Sequence, residues 1–304
     1  MNALRPFVAI LVALLTGYTN SSVLQAQTAT ATVAAPVGKA VSAPPVWLGD
    51  YATAKQISKE TNKMLVLWFY NPANAQSNAN FENSLMGNAS VQQELAKMVA
   101  VKIPTDAKIL SAGKETSLLS HSAFSELAGG PGLAMIDLTD SRMPYYGYVV
   151  SAYPFNRQTL SAGSVLAMLT LPSGTVTQRT LTLAVRMHPE APQSAWGSWH
   201  PTLGDLAQQH SKYQANVQQI GHQGWDSRFQ HINSTLGGMP AKEVCAQSWP
   251  QEGLVVAAED CVNSWRQSPG HWEGVRGAHS YFGYDMKMGN NGIWYATGIF
   301  AGSR

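Results

Sequence analysis

Two stretches of this chain, residues 63–70 (Lys-Met-Leu-Val-Leu-Trp-Phe-Tyr) and 99–103 (Val-Ala-Val-Lys-Ile), are apolar almost without interruption. A strand with one wet face alternates polar and apolar residues, so strands that do not alternate must be covered on both faces. Helical spacing supplies the cover: residues 50–62 (Tyr51, Ala54, Ile57, Ser58), 75–86 and 91–98 read as helices set between these strands. Gly129-Gly-Pro-Gly132 leads into a third strand at 133–137, and 145–153 reads as a fourth. Strands alternating with helices predict an α/β sheet. Residues 175–186 alternate like a further strand, and 188–194 (His-Pro-Glu-Ala-Pro-Gln-Ser) read as an extended connector punctuated by proline.

Beyond Pro201 the pattern turns helical, with Leu203, Leu206, Ala207, His210, Tyr213, Gln214 and Val217 three and four residues apart. Gly221 ends that helix and His222 follows at once. Residues 225–236 form another helical stretch, stopped by Gly237-Gly238. Residues 243–249, which include Glu243, read as short and extended. A third helix at 254–265, lined by Val255, Ala258, Val262 and Trp265, ends where Ser268-Pro-Gly-His271-Trp272 begins a new turn. Two aromatic-rich runs flank Gly289-Asn-Asn-Gly292, a hairpin signal.

At 304 residues the chain has room for two domains. Its net charge of +2, with charged residues only 12% of the total, gives no footing for nucleic-acid binding. Met1-Asn-Ala-Leu-Arg5 followed by the apolar residues 7–15 reads as a signal peptide cleaved after Ala26 or Gln27, and 27–46 as a flexible Ala/Thr/Val/Pro spacer. The apolar run is too short to span a bilayer, so a secreted or periplasmic protein is expected. In such an oxidising compartment the only two cysteines, Cys245 and Cys261, are expected to be bridged, two unpaired buried thiols being the alternative.

The helix and Val66-Leu-Trp-Phe-Tyr70 strand, Phe81-Glu-Asn-Ser-Leu-Met86 with Val91, and Gly130-Pro-Gly-Leu-Ala-Met-Ile-Asp137 together resemble a thioredoxin-like domain over residues 47–186. That resemblance makes Pro131 a candidate cis-proline. It puts the family's redox cysteines at Asn74 and Ser77, or at Ala75 and Asn78, and neither register holds a thiol. Thiol–disulfide exchange needs an attacking thiolate, so this segment cannot act as a thiol–disulfide oxidoreductase.

Residues 201–304, after a linker at 187–200, resemble the CAP superfamily (cysteine-rich secretory, antigen 5 and pathogenesis-related proteins) through their order: helix, His222, helix, Glu243, helix, Ser-Pro-Gly-His271 and terminal hairpin. The likeness is closest to the short bacterial secreted branch, in which Ser268 stands where larger members carry a second glutamate. It implies an α-β-α sandwich whose cleft holds His222, Glu243 and His271, with Trp272 beside them. The implied role is binding of a lipid, glycan or peptide ligand of the envelope or extracellular space. The alternative is a metal-dependent hydrolase, with His222 and His271 holding a divalent ion such as zinc and Glu243 acting as base. His210, on the apolar side of its helix, is expected to be a satisfied core group, and Arg228 to serve in a salt bridge or cap.

Overall fold

The computed structural model describes residues 46–303 except 112, 157 and 158. The expected signal peptide and almost all of the spacer lie outside the described residues. In chain order the elements are β1 (Trp47–Leu48), α1 (Tyr51–Thr61), β2 (Leu65–Tyr70), α2 (Ala75–Met86), α3 (Ala89–Leu95), β3 (Val99–Pro104), β4 (Lys108–Ser111), β5 (Lys114–Ser117), β6 (Gly132–Ile136), β7 (Val149–Pro154), α4 (Ala162–Leu169) and α5 (Val176–Met187). There follow β8 (Ser198–Trp199), α6 (Pro201–Val217), α7 (Trp225–Thr235), β9 (Ala241–Gln247), α8 (Leu254–Gln267), α9 (Pro269–Arg276), β10 (His279–Met288) and β11 (Trp294–Ser303). The fold is α/β, and no helix among the described residues is long and apolar enough to cross a membrane.

The first sheet has the order β1-β3-β2-β6-β7, with β1, β3 and β2 parallel and β6 and β7 antiparallel to their neighbours. β2 is buried from Leu65 to Phe69. Val66 and Trp68 pack into one core with α2, α3 and α4, while Leu65, Leu67 and Phe69 pack into another with α1. This is the two-sided cover that its unbroken apolar sequence requires. Asn74 caps α2, its side chain accepting from Ser77 N at 3.3 Å.

Two expectations fail in this half. The Gly130–Pro131 peptide is trans, and the chain reverses just ahead of it through left-handed backbone at Ala128 (φ 48°) and Gly129 (φ 73°). Residues 175–186 form a helix, α5, instead of a strand, opened by a capping box between Thr175 and Gln178. The alternation arises because α5 is apolar on two sides. Leu183 joins the core under the first sheet, whereas Leu181 and Val185 join the core of the second.

The second sheet has the order β8-β10-β11-β9, with β10, β11 and β9 antiparallel and the two-residue β8 parallel to β10. The connector expected at 187–200 therefore ends inside this sheet. Phe282, Tyr284, Phe300, Val244 and Ala246 face α5, α8 and α9 on one side. Ile299 and Ala301 face Leu203 and Ala207 of α6 and Ile232 of α7 on the other. The result is a helix–sheet–helix sandwich. Gly283 lets α6 lie directly on β10, since a Cβ there would run into the backbone of Leu203 and Gly204.

The expected Cys245–Cys261 bridge is absent: both are free, buried thiols. Strand geometry explains this, because successive β9 side chains point to opposite faces. Val244 and Ala246 pack with Cys261 of α8, so Cys245 faces the other way and the sheet lies between the two sulfurs. Burial pushes both thiols well above the ordinary cysteine range.

Candidate functional site

The segment between α6 and α7 is held to α6 from both of its peptide groups. Gln214 Oε1 accepts from Gly221 N at 3.1 Å, and His210 Nε2 contacts Gly221 O at 2.8 Å. Gln214 is itself anchored, donating from Nε2 to Thr297 Oγ1 of β11 at 3.0 Å. The next residue, His222, is thereby fixed at the edge of the sheet, over strand β9. Its side chain remains 45% exposed.

Glu243 reaches the same place from β9, and its side chain is 1% exposed. A buried carboxylate needs partners, and Arg228 of α7 donates to it from Nε and Nη2, each at 2.8 Å. His222 Nδ1 contacts Glu243 Oε1 at 3.0 Å. Burial alone would raise the Glu243 pKa, but the hydrogen bonds from His222 and Arg228 outweigh it and hold the group below the ordinary glutamate value. With an ionised carboxylate accepting at Nδ1, the proton of neutral His222 sits on Nδ1 and the Nε2 lone pair faces outward.

His271 arrives from the third position of α9, the helix opened by Pro269 after Ser268 ends α8. Its Nε2 lies 3.5 Å from Nε2 of His222, the rings tilted by 41°. Burial first, and the nearness of the second imidazole, His222, lower its pKa below the usual histidine value. His222, Glu243 and His271, spread over 50 residues of sequence, therefore converge as a chain of contacts that ends on Arg228.

Trp272 does not join them. It is buried in the core shared by α8 and α9, its Nε1 donates to Glu190 at 3.0 Å, and its ring packs on His188. Adjacent helical residues point about 100° apart, so a His271 side chain at the cleft sends Trp272 inward. Ser268 makes no side-chain capping bond.

His210, expected in the core, is buried. It also stands 3.8 Å from Glu243 Oε1, with its pKa lowered by burial against the opposing pull of that carboxylate. The helical spacing 210, 214, 217 conceals that its turn faces the His222 loop. His210, Glu243 and Cys245 offer ligand atoms that all lie within 4.8 Å of one another. Their chemistry does not suit a cation: the Glu243 charge is matched by Arg228, His210 Nε2 is engaged with Gly221 O, and the Cys245 thiol resists ionisation.

No protein-family model and no curated protein matches the chain. Among solved structures, an outer surface protein from Borrelia burgdorferi is similar over 36% of this chain and 78% of its own, at 17% identity and a TM-score of 0.30, a likeness too slight to speak to fold or role.

Proposed function

We propose that the protein is an exported, ligand-binding CAP-type protein, in which a thioredoxin-like segment without redox cysteines serves as a structural or interaction module. The sheet order β1-β3-β2-β6-β7 and the helix–sheet–helix sandwich with His222, Glu243 and His271 at one edge support that reading. The envelope or extracellular ligand, a lipid, glycan or peptide, meets the two imidazoles. The observation that favours binding over hydrolysis is the enclosure of Glu243. A general base must reach a substrate water, but this carboxylate is 1% exposed and held by His222 and Arg228. Its work is to fix the tautomer and orientation of His222.

The 3.5 Å separation of the imidazole Nε2 atoms supports a second, compatible reading. Two nitrogens bound at about 2.0–2.1 Å to one tetrahedral zinc ion lie roughly 3.3–3.4 Å apart. His222 and His271 would hold such an ion, with Glu243 as the outer partner of His222.

Zinc titration by calorimetry, paired with peptidase and cell-wall hydrolysis assays on the zinc-loaded protein, tests both readings. One ion per chain is expected, with affinity lost in His271→Ala and no hydrolysis before or after loading. Failure to bind micromolar zinc removes the metal reading. Turnover that disappears in Glu243→Gln removes the binding-protein reading.

A further inference from the structure

A cavity of about 450 Å³ opens between α5 and α8, within the size range of small-molecule sites. It lies on the seam between the two sheets. Tyr153, Leu183 and Val255 on its walls belong to the core of the first sheet, and Val262 to that of the second. It shares no residue with the imidazole cleft. Its rim is held in place just past the end of α5. Glu190 accepts there from Arg266 Nε of α8 and, at 3.0 Å, from Trp272 Nε1 of α9, while the His188 ring packs on that of Trp272 with centroids 4.8 Å apart.

The hydrogen-bonding groups that face this space can donate and carry no charge. Thr180 is 6% exposed, yet its hydroxyl does not bond back to its own helix, as that of Thr182 does to Gln178 O at 2.7 Å, and it has no partner among the described residues. A buried hydroxyl in that state is costly unless something in the cavity meets it. His188 Nδ1 accepts from Glu190 N at 3.2 Å, so the neutral ring carries its proton on Nε2. Burial is the main cause that lowers the His188 pKa and favours the neutral ring. Asn263 adds a carboxamide, and Glu259, the one charged side chain on the walls, is already engaged.

We infer that this cavity binds a small uncharged molecule, its apolar body seated against Leu183, Met187, Val255 and Val262 and its carbonyl oxygens accepting from Thr180, His188 and Asn263. A carbonyl has no proton to place, which suits walls rich in donors. An anion would lose its water to neutral donors and meet the Glu259 carboxylate, and a cation would have to compete for a Glu259 already held. The fixed rim lowers the ordering cost of binding. A molecule lodged there touches side chains of both cores and so stabilises their junction against unfolding.

Fluorescence titration of the full chain with prodan, a neutral naphthalene ketone, tests it. One saturable site with a dissociation constant of about 100 µM or tighter is expected, with blue-shifted emission and a raised unfolding midpoint. Anionic anilinonaphthalene sulfonate and cationic dansylcadaverine should bind about tenfold more weakly or worse. Thr180→Val removes the unpaired hydroxyl at nearly constant shape, so it should weaken prodan about fivefold without lowering thermal stability. Ala184→Phe, which fills the cavity, should abolish binding, and His271→Ala should leave it unaltered. Three results overturn the inference: prodan does not saturate, either charged dye binds as tightly as prodan, or Thr180→Val or a folded Ala184→Phe binds prodan as the wild type does.

Discussion

Arg228→Met perturbs the ion pair on which the cleft depends. The substitution keeps much of the aliphatic stem but removes two charge-assisted bonds to a carboxylate that is 1% exposed, together with the 2.8 Å bond from Nη1 to Gln223 O. Breaking a buried pair from one side costs about 3–5 kcal/mol, most of it from the abandoned charge. His222 still donates to Glu243 and Arg228 is itself partly exposed, so about 3 kcal/mol is expected near pH 7. The cost should depend on pH in a defined direction. In the wild type the folded Glu243 pKa lies below its unfolded value, so its contribution is present above the unfolded pKa and fades as pH falls through the folded one. Without Arg228, burial raises the folded pKa above the unfolded value. The variant then binds more protons folded than unfolded, and its stability falls as pH rises through that window. Urea unfolding at pH 4.5, 6 and 8 should show the deficit widening with pH. Adding Glu243→Gln to Arg228→Met should recover part of the loss, because it removes the stranded charge. A deficit under about 1 kcal/mol that is flat with pH would show that Arg228 does not hold Glu243, and the fixed His222 tautomer would go with it.

Two further outcomes follow from burial. Neither Cys245 nor Cys261 should react with Ellman's reagent in the native protein, and denaturation without reductant should release two thiols per chain; a mass consistent with a disulfide refutes the strand-face argument. His210 and His271 have folded pKa values depressed chiefly by burial, so the unfolded state takes up more protons on acidification and stability should fall from pH 7.5 to 5.5. Histidine resonances of these two residues that titrate above about 6.5 contradict that origin.

Much of the secondary structure was legible because its signals are local. Asp50 opens α1, Gly237 and Gly238 follow α7, and Gly289-Asn-Asn-Gly292 turns β10 into β11, as the residue types require. Where sequence reasoning failed, the deciding partner lay far along the chain. The leucines and valine of α5 alternate because two different sheets claim them. The cysteines look like a pair because nothing local records that they occupy opposite faces of β9. Arg228 was recognisable as a salt-bridge residue, but its partner Glu243 is 15 residues away and on another element. His222, Glu243 and His271 were legible as candidates through their order along the chain, while the enclosure of Glu243 depends on how α7 packs over β9.

The boundary between the halves can be tested at α5. If the second sheet formed a unit beginning near Pro201, with 187–200 only a tether, a fragment starting at residue 187 would fold. The contacts of α5 argue otherwise. Leu181 and Val185 fill the core between the second sheet and α8, and Thr177 Oγ1 donates to fully buried Asp285 of β10 at 2.6 Å. Asp285 also accepts from Ser211 of α6 and pairs with Lys287 at 2.8 Å, so loss of Thr177 opens a hole in a buried polar network. Deleting two buried aliphatic side chains costs about 2–5 kcal/mol each, and the vacated network adds about 1–3 kcal/mol, together comparable to the whole stability of a domain of about 100 residues. The converse attachment is equally strong, since the buried Arg179 donates to Ser151 of β7 and to the carbonyls of Leu171 and Pro172. A fragment 187–304 should therefore remain unfolded or aggregate, whereas 172–304 should retain dispersed amide resonances from the second sheet, at reduced solubility because Leu183 and Arg179 lose their cover. Cooperative unfolding of 187–304 with a native-like midpoint would show that α5 belongs to the first half alone.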